Sequence, residues 1–230
     1  MSRSESQPWP GLFEVALEPA AYGALLYQLL GLPLGIAAFT WVVLGLALSL
    51  GLALLGIGLL LGLAYLLACR GLAVAEARLA ARLVGQAEPT APTLPLGSGF
   101  WARLGALLKD PASWGAQAFL LLRMPLGVAA FSALLTLLVL TTTSLAMGLL
   151  PWQSLEVGPG GWARLQAPGW HATFEPASLD LPEAFLRHPG AARLTAAVLG
   201  LLGFLGALHL AVALTRLQAW LGRLLLGHRD

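Results

Sequence analysis

The chain states one pattern twice. Residues 18–40 read EPAAYGALLYQLLGLPLGIAAFT, and residues 110–132 read DPASWGAQAFLLLRMPLGVAAFS. At a constant offset of 92, twelve of the 23 positions are identical, among them Pro19/Pro111, Gly23/Gly115, Pro33/Pro125, Gly35/Gly127 and Phe39/Phe131. Most of the others exchange like for like: Glu/Asp, Tyr/Trp, Ile/Val, Thr/Ser. Each copy leads into a long apolar run. The expectation is two related units in tandem, and a repeat constrains topology before any other feature does.

The medium follows from charge. Only 10% of the 230 residues are charged and 58% are hydrophobic, whereas a soluble domain carries about 25% charged residues. The stretches 32–69, 124–150 and 194–215 contain no Asp, Glu, Lys or Arg, and a membrane-spanning helix needs roughly 20 such residues. An all-α integral membrane protein is predicted. The first 31 residues mix charges and prolines and lack the layout of a cleaved signal peptide, so the first span is expected to do the targeting. Cys69 is the sole cysteine, which rules out an intrachain disulfide. It reads as a small residue at a helix end, with palmitoylation as the sharper alternative. No basic run or nucleic-acid motif occurs, and no nucleic-acid partner is expected.

As one helix, the 38 residues of 32–69 would extend about 57 Å, against a hydrocarbon core of about 30 Å. Two spans fit, over about 33–50 and 53–69, with a turn near Ser49, Gly51 or Gly56. The segment 70–123 holds six basic residues against three acidic ones, and the tail after 215 is also basic. The segment 151–192 is acidic. The positive-inside rule places the first two in the cytoplasm and the third outside. Three or four spans satisfy that rule equally. The repeat decides for four, because only then do both copies run the same way. Both termini are then cytoplasmic, and the membrane is the cytoplasmic (inner) one.

The expected organisation is a cytoplasmic segment at 1–17, a first unit at 18–85, a cytoplasmic linker at 86–99 and a second unit at 100–230. The second unit carries an extracytoplasmic insert at 151–190. Asp110-Pro111 suits a helix N-cap followed by the first helical turn, and Glu18-Pro19 is a poorer version. FWARLGALLK (100–109) has the pattern of an interfacial helix. Pro33 and Pro125 are expected to end the amphipathic lead-in or start the spanning helix. Arginine-bearing amphipathic helices, 70–85 and 215–227, lead out of each hairpin and end at Gly85 and Gly227. Within the insert, WARLQ (162–166) and HATFE (171–175) predict a β-hairpin about Pro168-Gly169, and LPEAFLRH (181–188) a short helix.

No catalytic constellation emerges. Walker A, H-E-x-x-H and G-x-S-x-G are absent, no nucleophile–base pair is set up, and no cofactor is expected. No Asp, Glu, Lys or Arg falls within the expected spans, where His209 is the lone histidine, which argues against an ion-coupled transporter. His171, Glu175, Asp180 and His188 lack a diagnostic metal-ligand spacing, so no metal is assigned. Two sets remain as candidates. Trp162, Trp170, His171 and His188 form a sensing surface in the insert, where a plain cap resting on the outer leaflet is the competing reading. Thr141, Thr142, Thr143, Ser144 and His209 form an intramembrane polar site, where helix-to-helix hydrogen bonding is the competing reading.

Several of these pieces share a pattern: an acidic-Pro start, LLxxPLGxAAF, a tight first hairpin, an arginine-rich exit helix, then FWxRLxALLxDPxSW and LLLRxPLGxAAF. Together they resemble the membrane sensor domain at the N-terminus of many bacterial histidine kinases, notably of actinobacterial type. The resemblance covers roughly residues 20–227. It implies a non-catalytic module that detects an envelope or lipid-phase stimulus. The kinase portion that follows in those proteins is not in this sequence, so the output is expected to pass to a separate histidine kinase or regulator. The lipid bilayer and a second copy of the chain are further expected partners. The alternatives are an accessory or permease-type subunit of a transporter and a structural membrane protein.

Overall fold

The computed structural model describes residues 11, 13–88, 99–150 and 189–226, with the backbone of three strands between 154 and 174. Among these residues, four helices are long and apolar enough to cross a membrane. In each, well under half of the most apolar stretch is buried, at 22–39%. The outward residues are themselves apolar, among them Leu44, Leu60, Leu140 and Val198. Such a surface suits hydrocarbon, where helices satisfy their own backbone.

The first copy enters through α1 (Pro19–Leu29) and crosses as α2 (Gly31–Gly51). Leu30, with φ −76° and ψ −8°, separates the two, and Pro33 falls in the first turn of α2. A turn over 52–56 then reverses the chain into α3 (Ile57–Leu83). Gly56 closes that turn at φ +76°, a conformation that a β-carbon disfavours. α2 and α3 pack antiparallel, with the Tyr65 ring lying over Gly45.

The second copy differs. α4 (Phe100–Lys109) forms where the interfacial helix is expected, burying Leu104 and Leu107 and exposing Trp101. α5 (Pro111–Leu149) then runs through Pro125 without a break. The expectation that each proline starts a span holds for Pro33 and fails for Pro125. Proline removes one backbone donor, a loss that spanning helices tolerate. α6 (Pro189–Leu225) returns. The exit helices at 70–85 and 215–227 are not separate elements; they continue α3 and α6.

The chain divides into two compact units, 1–135 with 207–230, and 136–206. The first holds an alanine-rich core in which Ala38, Val42, Cys69, Ala73, Ala77, Phe119 and Leu120 meet. In the second, α5 and α6 approach closely: a β-carbon on Gly203 would lie 2.7 Å from the Thr141 hydroxyl. This unit also contains the insert. Its strands β1 (Ser154–Val157), β2 (Ala163–Ala167) and β3 (Trp170–Phe174) make an antiparallel sheet in that order. The pairing of Gln166 with His171 and of Ala167 with Trp170 is the expected hairpin, with each strand shifted one residue towards the turn. β1, paired to β2 with Glu156 opposite Arg164, was not expected. The helix expected at 181–188 lies outside the described residues.

Candidate functional site

The first compact unit gathers polar side chains between its helices. Asp110 sits between α4 and α5. Its Oδ1 accepts a hydrogen bond from the Ala112 backbone N–H at 3.2 Å, which makes it the N-cap that Asp-Pro predicts. Its Oδ2 pairs with Arg70 of α3, whose side chain is only 5% exposed. Arg70 also donates to the Ser113 hydroxyl at 3.1 Å. One carboxylate thus starts α5 and ties it to α3. Asp110→Ala is expected to cost about 3–4 kcal/mol, combining a lost cap with a buried arginine left without its carboxylate. Asp110→Asn keeps the cap and should cost about 1 kcal/mol less. Thermal unfolding of the purified protein in detergent checks the difference, and equal losses would show that the cap contributes nothing.

A deeper pair lies between α3 and α5. Arg123 is 1% exposed and bonds Glu76 through Nε. Its guanidinium carbon stands 4.8 Å from the centre of the Tyr27 ring, a cation–π contact. Its Nη1 and Nη2 meet no hydrogen-bond partner among the described residues. Burial pushes the Tyr27 hydroxyl above the usual phenol range, so it stays protonated. Beside it, Gln28 Nε2 donates to the Thr215 hydroxyl at 3.1 Å, and Gln218 Nε2 donates to Gln28 Oε1 at 3.2 Å. Arg223 at the end of α6 donates to Gln86 just past α3, at 2.9 Å. The exposed Arg82–Glu88 pair caps that end, and the arginine's hydrogen bond lowers the Glu88 carboxyl below its ordinary value.

Equivalent positions in the two copies make equivalent contacts. The Tyr22 hydroxyl donates to the Ala16 carbonyl at 2.9 Å. Trp114 Nε1 donates to the Leu108 carbonyl at 2.8 Å. Both residues of the second pair lie 92 positions after those of the first. A β-carbon on Gly35 would lie 2.9 Å from the Arg123 carbonyl, and one on Gly127 would strike the Gly31 carbonyl. These two contacts exchange the copies: residue 35 meets the counterpart of 31, and the counterpart of 35 meets 31.

The residues singled out from the sequence fall elsewhere. Trp162 and His188 lie outside the described residues, as do Glu175 and Asp180. Trp170 and His171 stand opposite Ala167 and Gln166 in the β2–β3 pairing. Thr141 is buried at 2% exposure, and its hydroxyl has no partner among the described residues. Thr142 faces outward and bonds back to the Leu138 carbonyl at 2.8 Å. Thr143 is exposed and Ser144 half-buried. Successive helix positions turn by about 100°, so the four hydroxyls do not converge. His209 is half-buried in α6 and belongs to the other compact unit.

Sequence reasoning missed the Arg123–Glu76 pair, because apolar runs were ended at the first charge. A signal was present: Arg123 stands where the first copy has Gly31, inside an otherwise matched stretch. Among the described residues the arrangement sets no nucleophile beside a base. What it does offer is a set of buried, directional links between helices.

No curated protein and no solved structure matches the chain. One family model does, over residues 27–226, a stretch that takes in all four long helices and most of both copies. The chain belongs to the family described as Putative sensor.

Proposed function

We propose that the chain is a non-catalytic sensor module of the cytoplasmic membrane. It registers an envelope or lipid-phase condition and passes it to a separate partner, a histidine kinase or a regulator. Both termini and the segment 86–99 face the cytoplasm, and the insert faces out. The observation that carries this reading is the buried polar set of the first compact unit. The segments that lead each copy in (Gln28; Asp110 to Arg123) and those that lead each copy out (Glu76; Thr215 to Arg223) all take part in it. Two copies that enter from one face of the membrane would cluster in this way. The links tie spanning helices to the amphipathic ends that a cytoplasmic partner would meet. A stimulus shifts the balance between two arrangements of these links only by binding them with different affinity.

The insert is the sizeable region that the first hairpin lacks, and the sensing surface belongs there: Trp162, Trp170, His171 and His188. Replacing 155–188 with a short Gly/Ser linker is expected to leave membrane insertion intact and abolish the response. Stimulus-dependent co-purification of a signalling partner from native membranes is the readout. Recovery of no kinase or regulator under several envelope stresses would sink the proposal. A normal response from the linker variant would move the sensing site out of the insert and into the membrane-spanning helices.

A further inference from the structure

α4 presents different chemistry on each of its sides. Leu104 and Leu107 enter the core cluster that holds Ala73, Val74 and Ala77 of α3. At about 100° per residue, Trp101 and Leu108 fall together, roughly a quarter-turn round from that inner face, and both are exposed. Arg103 lies roughly opposite Trp101 and Leu108, and Lys109 roughly opposite the inner face; both are exposed. No Asp or Glu occurs on α4. The Phe100 ring packs against the core and meets the Trp101 ring edge-on, 5.3 Å between centroids, which steadies the indole in its exposed position.

The junction with α5 fixes the depth of this helix. A single residue, Asp110 at φ −78° and ψ 118°, joins α4 to the spanning helix α5. Its extended backbone breaks the helical path, so α4 does not lengthen the span. Trp114, exposed one turn into α5, donates from Nε1 to the Leu108 carbonyl at 2.8 Å and ties the two helices together at the bend. α4 therefore sits where a span ends. A leaflet boundary at that level offers hydrocarbon on one side and phosphate on the other. A partner helix or a second copy laid on Trp101 and Leu108 would match one edge only. The boundary matches the apolar edge, the basic edge and the exposed tryptophans together.

The first copy supplies a contrast. Under the offset of 92, the counterparts of Arg103, Ala106 and Lys109 are Gly11, Glu14 and Leu17. That stretch carries no basic residue, and its one carboxylate accepts from the Gly11 backbone N–H at 2.9 Å. The basic edge belongs to the second copy alone.

We propose that α4 is a docking edge for anionic phospholipid headgroups and that the charge of the leaflet is a second input to the module, beside the insert. The second clause rests on the sensor reading; the first does not. Trp101 and Leu108 seat in the hydrocarbon boundary, while Arg103 and Lys109 hold headgroup phosphates. The path to the core is short. Lys109 precedes Asp110, whose carboxylate caps α5 and pairs with Arg70 of α3. Displacement of α4 by a changing headgroup layer therefore bears on the link between α3 and α5.

The test uses the full chain in a Cys69→Ser background, in phosphatidylcholine vesicles that contain phosphatidylglycerol. The fluorophore NBD is attached at Ala102→Cys, an exposed position between Arg103 and Lys109 on the helix surface, or at Leu17→Cys in the first copy. A small fraction of one lipid or the other carries a nitroxide on an acyl chain, close to the headgroup. At position 102, quenching by the labelled phosphatidylglycerol is expected to exceed quenching by the labelled phosphatidylcholine about fivefold. At position 17 the two should be equal. Arg103→Gln combined with Lys109→Gln should remove the preference without moving the melting temperature, and added salt should shrink it. Trp101→Ala should weaken quenching by both lipids alike. The doubly neutralised chain should also lose any dependence of partner recovery on phosphatidylglycerol content. Equal quenching at position 102, a preference that survives the double variant, one as large at position 17, or its loss to inorganic phosphate at constant ionic strength would overturn the headgroup assignment. Absence of quenching by either lipid would show that protein covers α4 and would overturn it too. A preference confined to position 102, with partner recovery that ignores phosphatidylglycerol content, would leave the docking edge standing and overturn its role as an input.

Discussion

Glu76→Leu is expected to destabilise the chain by about 3–5 kcal/mol, the usual cost of removing one partner from a buried ion pair. Arg123 would keep its charge at 1% exposure, with the face of the Tyr27 ring still against its guanidinium. The Coulombic attraction of such a pair does little more than offset the desolvation of two ions. The harm in the single variant comes from the charge left behind. Glu76→Leu combined with Arg123→Met should therefore unfold near the wild-type temperature. Arg123→Met alone strands a carboxylate that is 13% exposed and can relax towards solvent, so its cost should be smaller, about 2 kcal/mol. The three variants make a double-mutant cycle, read by thermal unfolding in one detergent. Strict additivity would show that the two groups do not act as a pair.

Gly127→Leu should cost about 3 kcal/mol, at the upper end of what overpacking usually does. Its β-carbon would strike the Gly31 carbonyl, which belongs to the backbone of the facing helix and has no rotamer to escape into. Gly35→Leu meets the Arg123 carbonyl and the Met124 Cα at 2.9 and 3.0 Å, so a similar loss is expected. Gly71 is the internal control. Nothing lies within 4 Å of the point where its β-carbon would stand, and Gly71→Ala should gain up to ~1 kcal/mol of helix propensity. If all three variants unfolded alike, close approach would not explain Gly31, Gly35 and Gly127.

Features set by local chemistry were legible in the sequence. Apolar length gave the spans, Asp110-Pro111 gave the cap, the small residues Ser49, Gly51 and Gly56 gave the neighbourhood of the first turn, and WARLQ with HATFE gave the hairpin. Features set by tertiary partners were not. Arg123 reads as a boundary until Glu76 faces it across two helices. Pro125 reads as a helix start, yet α5 continues through it. Gln28, Thr215 and Gln218 are ordinary residues far apart in the chain, and only folding makes them one hydrogen-bonded group. β1 depends on pairing with β2, and SLEV alone carries little strand signal.

The central claim is that two copies of one unit enter the membrane from the same face. Leu17 and Lys109 are equivalent under the offset of 92, and both are exposed. Cysteines introduced one at a time by Leu17→Cys, Lys109→Cys and Leu165→Cys, in a Cys69→Ser background, can be probed with a membrane-impermeant maleimide. On intact cells the first two should stay unlabelled and the third should react; on inverted vesicles the pattern should reverse. Reaction of the positions 17 and 109 from opposite faces would contradict the parallel duplication and the four-span topology built on it.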